Sequence, residues 1–131
     1  SIVGEGSEIY GQIYNSVIGP GVTVGRGTVI RDSIIMKGTT LGENTTVDKA
    51  IIAENCQIGS DVHLGVGEEA PNKLNASIYA FGLATIGEDS VIPDHVSVGK
   101  NTAISGVTDK EDYPNGILES GEVIIKAGDS V

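Results

Sequence analysis

The sequence predicts an all-β chain that folds as a single-stranded parallel β-helix, and three observations support this fold class. A six-residue unit, of which Val24-Gly25-Arg26-Gly27-Thr28-Val29 is one copy, recurs along most of the chain. Aliphatic residues also recur every 17 positions, as Ile18, Ile35 and Ile52 do. The chain contains 19 glycines, which would destabilise helices. A fixed internal period of this kind indicates a solenoid in which each coil stacks on the one before.

The first and fifth places of each hexapeptide unit predict the interior of the coil. The first place holds branched aliphatic residues, most of which favour extended backbone and fill a narrow core. They are Val3, Ile18, Val24, Ile35, Leu41, Ile52, Ile58, Ile86, Ile92 and Val98. The fifth place holds small or β-branched residues, which fit inward near a corner. They are Ser7, Val22, Thr28, Thr39, Thr45, Cys56, Val62, Ser90, Val96 and Thr102.

The fourth place predicts a turn in every unit. Nine of its ten residues are Gly, Asn or Asp, the types that adopt a left-handed backbone at least cost. The ten are Gly6, Gly21, Gly27, Gly38, Asn44, Asn55, Asp61, Asp89, His95 and Asn101. Two six-residue sides and a five-residue side, such as Ile30 to Ile34, complete one coil of 17 residues. The sequence therefore predicts a triangular prism whose coils stack about 4.8 Å apart.

The repeat predicts one domain with a single interruption. Coils are expected over residues 1–65 and 84–106, separated by an excursion loop at 66–83 that is polar and rich in turn-forming residues. Loops inserted in a rigid solenoid often carry function, and the alternative is an irregular connection or a cap. Residues 107–131 are expected to form a C-terminal cap or tail, in which the apolar strand 121–126 covers the open end of the prism.

Composition restricts the partners that the chain is expected to have. Eighteen Asp and Glu against eight Lys and Arg leave a net charge of −10, which argues against nucleic acid or anionic lipid as a partner. The longest apolar runs have three or four residues, too few to span a bilayer. The single cysteine, Cys56, cannot form an internal disulfide, which fits a cytoplasmic location.

Because the chain enters its repeat at once, without a cap, we expect it to be a piece of a larger parent.

Histidine chemistry is the catalytic alternative that the residues suggest. His63 lies at an outward place just before the loop, where hexapeptide acyltransferases carry a general base. The other interpretation is an exposed surface histidine, because no partner carboxylate is identifiable. His95 occupies a turn place, which its tolerance of positive φ explains. Two histidines are too few for a three-histidine zinc site, so no metal site is predicted.

The other reactive or apolar side chains are expected to have no site of their own. Cys56 takes an inward fifth place, which indicates a small buried apolar residue and not a nucleophile. The larger apolar side chains that should point outward fall on different sides of the prism, so no single apolar patch is predicted. These are Tyr10, Tyr14, Val29, Met36 and Val91.

Several segments carry a resemblance to a known family. They are Asn15 to Ile18, Arg31 to Gly38, Leu41 to Asn44, Lys49 to Asn55 and Ile86 to Asp94. They resemble the C-terminal domain of bacterial glucose-1-phosphate adenylyltransferases (ADP-glucose pyrophosphorylases), and the resemblance covers most of the chain. The coil from Asp32 to Gly38 is moderately specific and is shared in part with other sugar-nucleotide pyrophosphorylases. Hexapeptide repeats of this type also resemble the left-handed β-helices, so left-handedness is an implication of resemblance.

The resemblance implies a function for the parent enzyme. Such an enzyme joins glucose 1-phosphate to ATP, giving ADP-glucose and pyrophosphate for glycogen synthesis, in an N-terminal catalytic domain that uses Mg²⁺. The Gly-rich, Arg-containing loop of that domain is absent here. We therefore expect no catalytic residue, no cofactor and no transferase activity in this chain alone. The β-helix would pack on its own N-terminal catalytic domain, assemble a homo-oligomer and form part of a sugar-phosphate effector site.

The end of the chain provides the one candidate binding residue. The segment from Ser120 to Lys126 resembles the family segment whose final lysine binds a phosphorylated activator, which implies Lys126 as an effector contact. An exposed tail lysine is the alternative, because one lysine is a weak anion site without companions. For the whole chain, the alternatives are a hexapeptide acyltransferase with His63 as base, a domain of another sugar-nucleotide pyrophosphorylase, and a nonenzymatic paralogue of the same fold.

Overall fold

Three parallel sheets form the walls of a solenoid in the computed structural model, which describes residues 1–68, 70–75, 77 and 81–126. Sheet A contains β1 (Ile2–Val3), β4 (Val17–Ile18), β7 (Ile34–Ile35), β10 (Ala50–Ile52), β13 (Ala84–Ile86), β16 (Thr102–Ser105) and β18 (Val123–Ile125). Sheet B contains β2 (Glu8–Ile9), β5 (Thr23–Val24), β8 (Thr40–Leu41), β11 (Gln57–Ile58) and β14 (Val91–Ile92). Sheet C contains β3 (Gln12–Tyr14), β6 (Val29–Arg31), β9 (Thr46–Asp48), β12 (His63–Val66), β15 (Ser97–Gly99) and β17 (Ile117–Leu118).

The strand register confirms the 17-residue period on all three walls. Ile35 pairs with Ile18 on one side and with Ile52 on the other. Leu41 lies in the same way between Val24 and Ile58, and Val47 between Ile30 and Leu64. The predicted parallel β-helix is therefore confirmed, while its handedness stays a prediction from resemblance.

The core is a column of aliphatic side chains along the axis of the prism. Its members include the predicted first-place residues from Ile18 to Val98, each at most 3% exposed. Val3 is exposed over 47% of its surface, although it pairs in register with the inward Ile18 and so keeps the predicted inward place. The physical reason is that β1 is an edge strand of sheet A, and no described coil lies beneath it.

Every predicted turn place has a left-handed backbone. All ten fourth-place residues have positive φ, from 55° at Asn44 and Asn101 to 74° at Gly27 and Gly38. The corner before sheet A uses a further set that the hexapeptide pattern did not include: Asn15, Asp32 and Lys49, with φ of 48°, 48° and 51°. The side chains of Asn15 and Asp32 stack there through a hydrogen bond of 2.7 Å.

Buried hydroxyl groups at the corners link successive coils. The Thr28 hydroxyl donates to the Gly42 carbonyl over 2.6 Å and accepts the Thr45 N–H over 3.1 Å. The Thr45 hydroxyl repeats this pattern with the Gly59 carbonyl. Cys56 occupies the same kind of place and is fully buried, with its Sγ 3.0 Å from the Gly87 carbonyl oxygen. The fifth-place threonines therefore satisfy backbone groups that a purely aliphatic corner would leave unpaired.

The excursion loop is fixed to later coils by two buried asparagines. β12 extends to Val66, one residue into the predicted loop, and pairs there with Gly99. The Asn101 side chain donates to the Ala70 carbonyl and accepts the Gly82 N–H, while Asn72 donates to the Asn101 carbonyl over 2.7 Å. The insertion of the loop preserves the register of the coils. The Asp94 side chain accepts the Ser60 N–H from the neighbouring coil, and the two residues lie 34 positions apart, which is twice the coil period.

The C-terminal range predicted as a cap or tail adds further strands to the prism. β17 pairs with β15, and β18 pairs with β16, so the solenoid extends to Ile125. Sheet B instead ends at β14, and a single bridge joins Val91 to Val107. Two 3-10 helices, Lys110–Asp112 and Pro114–Gly116, follow this bridge. Tyr113, between these helices, is buried in the core cluster. Residues 127–131 of the predicted tail lie outside the described residues.

One wall contradicts the expectation that no apolar patch is present. Tyr10, Tyr14 and Met36 are exposed as predicted, and Val29 and Val91 are half-buried. The outward side chains of sheet A, however, align in register as Ile2, Val17, Ile34, Ile51, Thr85, Ala103 and Val123. The sequence-based prediction did not include this column, because it was made from the inward places of the repeat.

Candidate functional site

Lys126 lies directly after β18, at the last coil of the described chain. Its backbone N–H donates to the Ser105 carbonyl over 3.0 Å, which continues the pairing of β18 with β16. Its Nζ lies 2.8 Å from Oδ1 and 3.0 Å from Oδ2 of Asp112, so both carboxylate oxygens face the ammonium. The candidate effector residue therefore has a partner within the chain.

The 3-10 helix Lys110–Asp112 orients that partner carboxylate. Asp109 caps the helix by accepting the Glu111 N–H over 2.9 Å, and the Asp109 N–H donates to Asp112 Oδ2 over 2.8 Å. The hydrogen bond from Lys126 lowers the pKa of Asp112, and the same bond raises the pKa of Lys126. Both groups are therefore charged at neutral pH, and the pair is a fixed ion pair at the edge of the cap.

The surroundings of Lys126 are acidic. Asp109, Asp112 and Glu111 all increase the preference of the lysine for its charged form. An anionic ligand that reached the ammonium would have to displace the Asp112 carboxylate and approach the other two acids. Residues 108–116 form a polar segment in which Asp109 and Asp112 have the spacing of a helix-capping signal. This spacing is the sequence feature that could have revealed the partner of Lys126.

A groove runs along the outer surface of sheet B and is bordered by Lys110 of the same 3-10 helix. Its lining includes Gln57, Val91, Pro93, His95 and Lys110. Lys110 and His95 supply polar nitrogen atoms to this lining. Sequence reasoning did not bring these residues together, because the long polar segment gives no indication of the wall against which it folds.

His63 lies at an outward strand place and His95 at a turn place. His63 is exposed on β12, with Thr46 and Ser97 as its register neighbours on the adjacent strands. His95 has φ of 62°, which confirms its interpretation as a turn residue, and its Nδ1 lies 3.4 Å from Asp61 Oδ2. Cys56 is buried, and desolvation raises the pKa of its thiol, so it is not an activated nucleophile.

The part of the chain that the structure describes contains neither a metal-binding cluster nor a membrane-spanning helix. No group of three or more His, Cys, Asp and Glu residues there could hold a metal ion. No helix there is long and apolar enough to cross a membrane.

Comparison with known families agrees with the geometry of the coils. The family model described as "GlmU-like, C-terminal hexapeptide" matches residues 1–77, more than half of the chain. The chain belongs to this GlmU-like hexapeptide family. The match ends within the excursion loop, so it covers the coils in which the 17-residue register is uninterrupted.

Relatives of this hexapeptide chain carry the name that the resemblance predicted. A glucose-1-phosphate adenylyltransferase of Lachnospira eligens is 62% identical over 130 residues, which cover 99% of this chain and 31% of the relative. Proteins of the same name from Thermotoga maritima and Acetivibrio thermocellus are 55% and 42% identical, over 95% and 99% of this chain and 30% of each relative. The predicted resemblance is confirmed, and the chain spans about 30% of the length of these relatives.

Proposed function

We propose that this chain is the C-terminal regulatory and assembly module of a glucose-1-phosphate adenylyltransferase. The single observation that carries the proposal is the 62% identity with the Lachnospira eligens enzyme across 99% of this chain. The reaction of the longer protein would join glucose 1-phosphate to ATP, giving ADP-glucose and pyrophosphate. Glycogen synthesis in the cytoplasm would consume that product.

The module itself would contribute no reacting group. In this proposal the Mg²⁺ that the reaction implies would be held outside the prism. Substrate binding and metal chemistry would belong to the remaining part of the longer polypeptide. The prism would supply a rigid body on which that part and other subunits pack.

The test of this function uses the longer polypeptide that contains this chain. We expect it to form ADP-glucose from ATP and glucose 1-phosphate, and we expect the 131-residue chain alone to form none. A longer polypeptide without this activity would contradict the proposal. So would saturable binding of acetyl-CoA to the 131-residue chain that is lost in His63→Ala, because that result supports the acyltransferase alternative.

Lys126 is the effector contact in this proposal. A phosphorylated sugar would take the place of the Asp112 carboxylate on the lysine ammonium, and the exchange would move the 3-10 helix that Asp112 helps to cap. The ion pair opposes anion binding. Asp112→Asn should therefore increase the affinity for the phosphorylated sugar, and Lys126→Ala should decrease it.

The effector test measures activation of the longer enzyme by inorganic phosphate, a sugar monophosphate and a sugar bisphosphate. Lys37→Ala is the matched control, since Lys37 is an exposed lysine after β7, four strands of sheet A away from β18. Lys110→Ala separates this site from the groove on sheet B. If Lys126→Ala responds like the control while Lys110→Ala loses activation, the effector lies in the groove and the assignment of Lys126 is wrong.

A further inference from the structure

Asn115 and Gly116 form the single Asn-Gly pair of the 131-residue sequence. They lie in the polar segment 108–116, between the buried Tyr113 and β17. In such a pair the peptide nitrogen of the glycine can attack the side-chain amide carbon of the asparagine, and the absence of a Cβ on glycine leaves that approach open. The pair is therefore a candidate for chemical modification of the chain itself.

The side chain of Asn115 is free to take part in that reaction. It is exposed, and it makes no hydrogen bond to any residue in the part of the chain that the structure describes. The side chains of Asn15, Asn72 and Asn101, in contrast, are held by hydrogen bonds of 2.7 or 2.8 Å. The backbone of Asn115 is left-handed, with φ of 57° and ψ of 23°. An unrestrained amide at such an exposed turn can rotate towards the peptide nitrogen that follows it.

The attacking nitrogen of Gly116 is held only by a single turn. Its N–H donates to the Tyr113 carbonyl over 2.8 Å, and the Ile117 N–H donates to the Pro114 carbonyl. These two bonds close the 3-10 helix Pro114–Gly116 and are not part of a sheet. The folded turn restrains the nitrogen, because its N–H must leave the carbonyl before it can react. Segments held by few local bonds open at a lower free energy than core strands do.

Two other exposed asparagines provide an internal comparison. Asn44 and Asn55 also have left-handed backbones, with φ of 55° and 58°. The N–H after Asn44, however, donates to the buried Thr28 hydroxyl over 3.1 Å, and the N–H after Asn55 donates to the buried Thr39 hydroxyl over 3.2 Å. Each of these bonds joins two coils, so releasing the nitrogen requires the coils to separate. Reaction at Asn115 requires only the opening of one turn.

We propose that Asn115 is a deamidation site whose rate is set by local opening of the 3-10 helix Pro114–Gly116. When the turn opens, the Gly116 nitrogen gives its proton to solvent base and bonds to Asn115 Cγ, and the side-chain nitrogen leaves as ammonia. The product is a cyclic succinimide. Water then breaks one of the two C–N bonds of the imide, which leaves aspartate or isoaspartate. The overall step consumes one water, releases one ammonia and adds one negative charge, with no oxidation or reduction.

The two products should affect the cap differently. Aspartate fits the turn, because Asp61 and Asp89 adopt the same left-handed backbone elsewhere in this chain, with φ of 56° and 57°. Isoaspartate carries an additional methylene in the main chain, which changes the spacing between Tyr113 and Ile117. That spacing strains the two i-to-i+3 bonds that close the turn. Isoaspartate would thus loosen the buried position of Tyr113 in the core cluster.

The test is incubation of the longer polypeptide at mildly alkaline pH, followed by peptide mass spectrometry at positions 115 and 44. In buffer, we expect Asn115 to convert to the acid while Asn44 keeps its amide. In guanidinium chloride, Asn115 should react about 10- to 100-fold faster, because both turn bonds that restrain Gly116 are then absent. Asn115 that stays unmodified in buffer, or that reacts equally fast in both solutions, would overturn the proposal.

Pro114→Ala separates local opening from unfolding of the prism. Pro114 is exposed and fixes the first residue of the turn, so its replacement favours the open turn without removing a buried side chain. Conversion of Asn115 in buffer should increase about two- to fivefold. Its rate in guanidinium chloride and the amide at Asn44 should not change. Equal rates in buffer for the variant and the wild type would contradict the local-opening step.

Asn115→Asp provides the charge of the product without the additional methylene. Its Tm should stay close to that of the wild type, whereas the Tm of the wild type should fall as isoaspartate accumulates during incubation. An equal fall in fresh Asn115→Asp would assign the effect to charge and contradict the role of the main chain. None of these readouts requires formation of ADP-glucose, so the inference stands or fails independently of the proposed function.

Discussion

The backbone N–H of Thr45 donates a hydrogen bond of 3.1 Å to the hydroxyl of Thr28, its neighbour one coil away. The same hydroxyl donates to the Gly42 carbonyl, so a single buried oxygen satisfies two backbone groups on the next coil. Thr28 is fully buried, and water cannot replace it there. The corner threonines therefore act as connectors between coils as well as core residues.

Thr28→Val should destabilise the chain by about 1–3 kcal/mol, because it keeps the shape of the side chain and leaves a buried N–H and a buried carbonyl without their partner. Urea unfolding followed by circular dichroism measures the free energy. Thr23→Val, on the outer side of β5, is the matched control and should stay within about 0.5 kcal/mol of the wild type. Equal effects of the two substitutions would mean that the hydroxyl bridge contributes nothing.

Asn101→Ala should cost more than Asn44→Ala, although both residues have φ of 55°. Asn44 is exposed, so its replacement costs only the left-handed strain, about 1–2 kcal/mol. Asn101 also holds the Ala70 carbonyl and the Gly82 N–H, and losing these contacts adds about 1–3 kcal/mol. Limited proteolysis should show faster cleavage within 66–83 in Asn101→Ala alone. Similar cleavage in both variants would contradict the anchoring role of Asn101.

Tyr113 should make the stability of the cap depend on alkaline pH. Burial raises the pKa of its phenol to about 12, while in the unfolded chain it ionises near pH 10. Between these values the unfolded state binds fewer protons, so the free energy of unfolding falls as pH rises from about 10 to 12. Tm measured against pH should fall less steeply for Tyr113→Phe than for the wild type, with Tyr10→Phe, an exposed tyrosine, as the control. Parallel curves for all three proteins would contradict this assignment.

Cys56 should be inert while the chain is folded. Its thiol is buried and desolvation raises its pKa, so little thiolate forms near neutral pH. Labelling with a chromogenic disulfide should be slow in buffer and complete within minutes in guanidinium chloride. Cys56→Ser provides the blank. Rapid labelling of the native chain would show that the corner opens and that the thiol is accessible.

The sequence by itself determined the coil. A branched aliphatic residue at each first place and a Gly, Asn, Asp or His at each fourth place leave few arrangements other than stacked strands and left-handed turns, and every one of those turns is present. The spacing of 17 residues likewise predicted which strands would pair. These properties are local and periodic, so they can be read without knowledge of distant contacts.

The tertiary structure alone decided the partners of residues that lie outside the repeat. Asp112 meets Lys126, and Asn72 meets Asn101, because the polar segment and the excursion loop fold back on coils far away in the sequence. Such contacts depend on the path of the backbone between coils, and no periodicity in the side chains encodes that path.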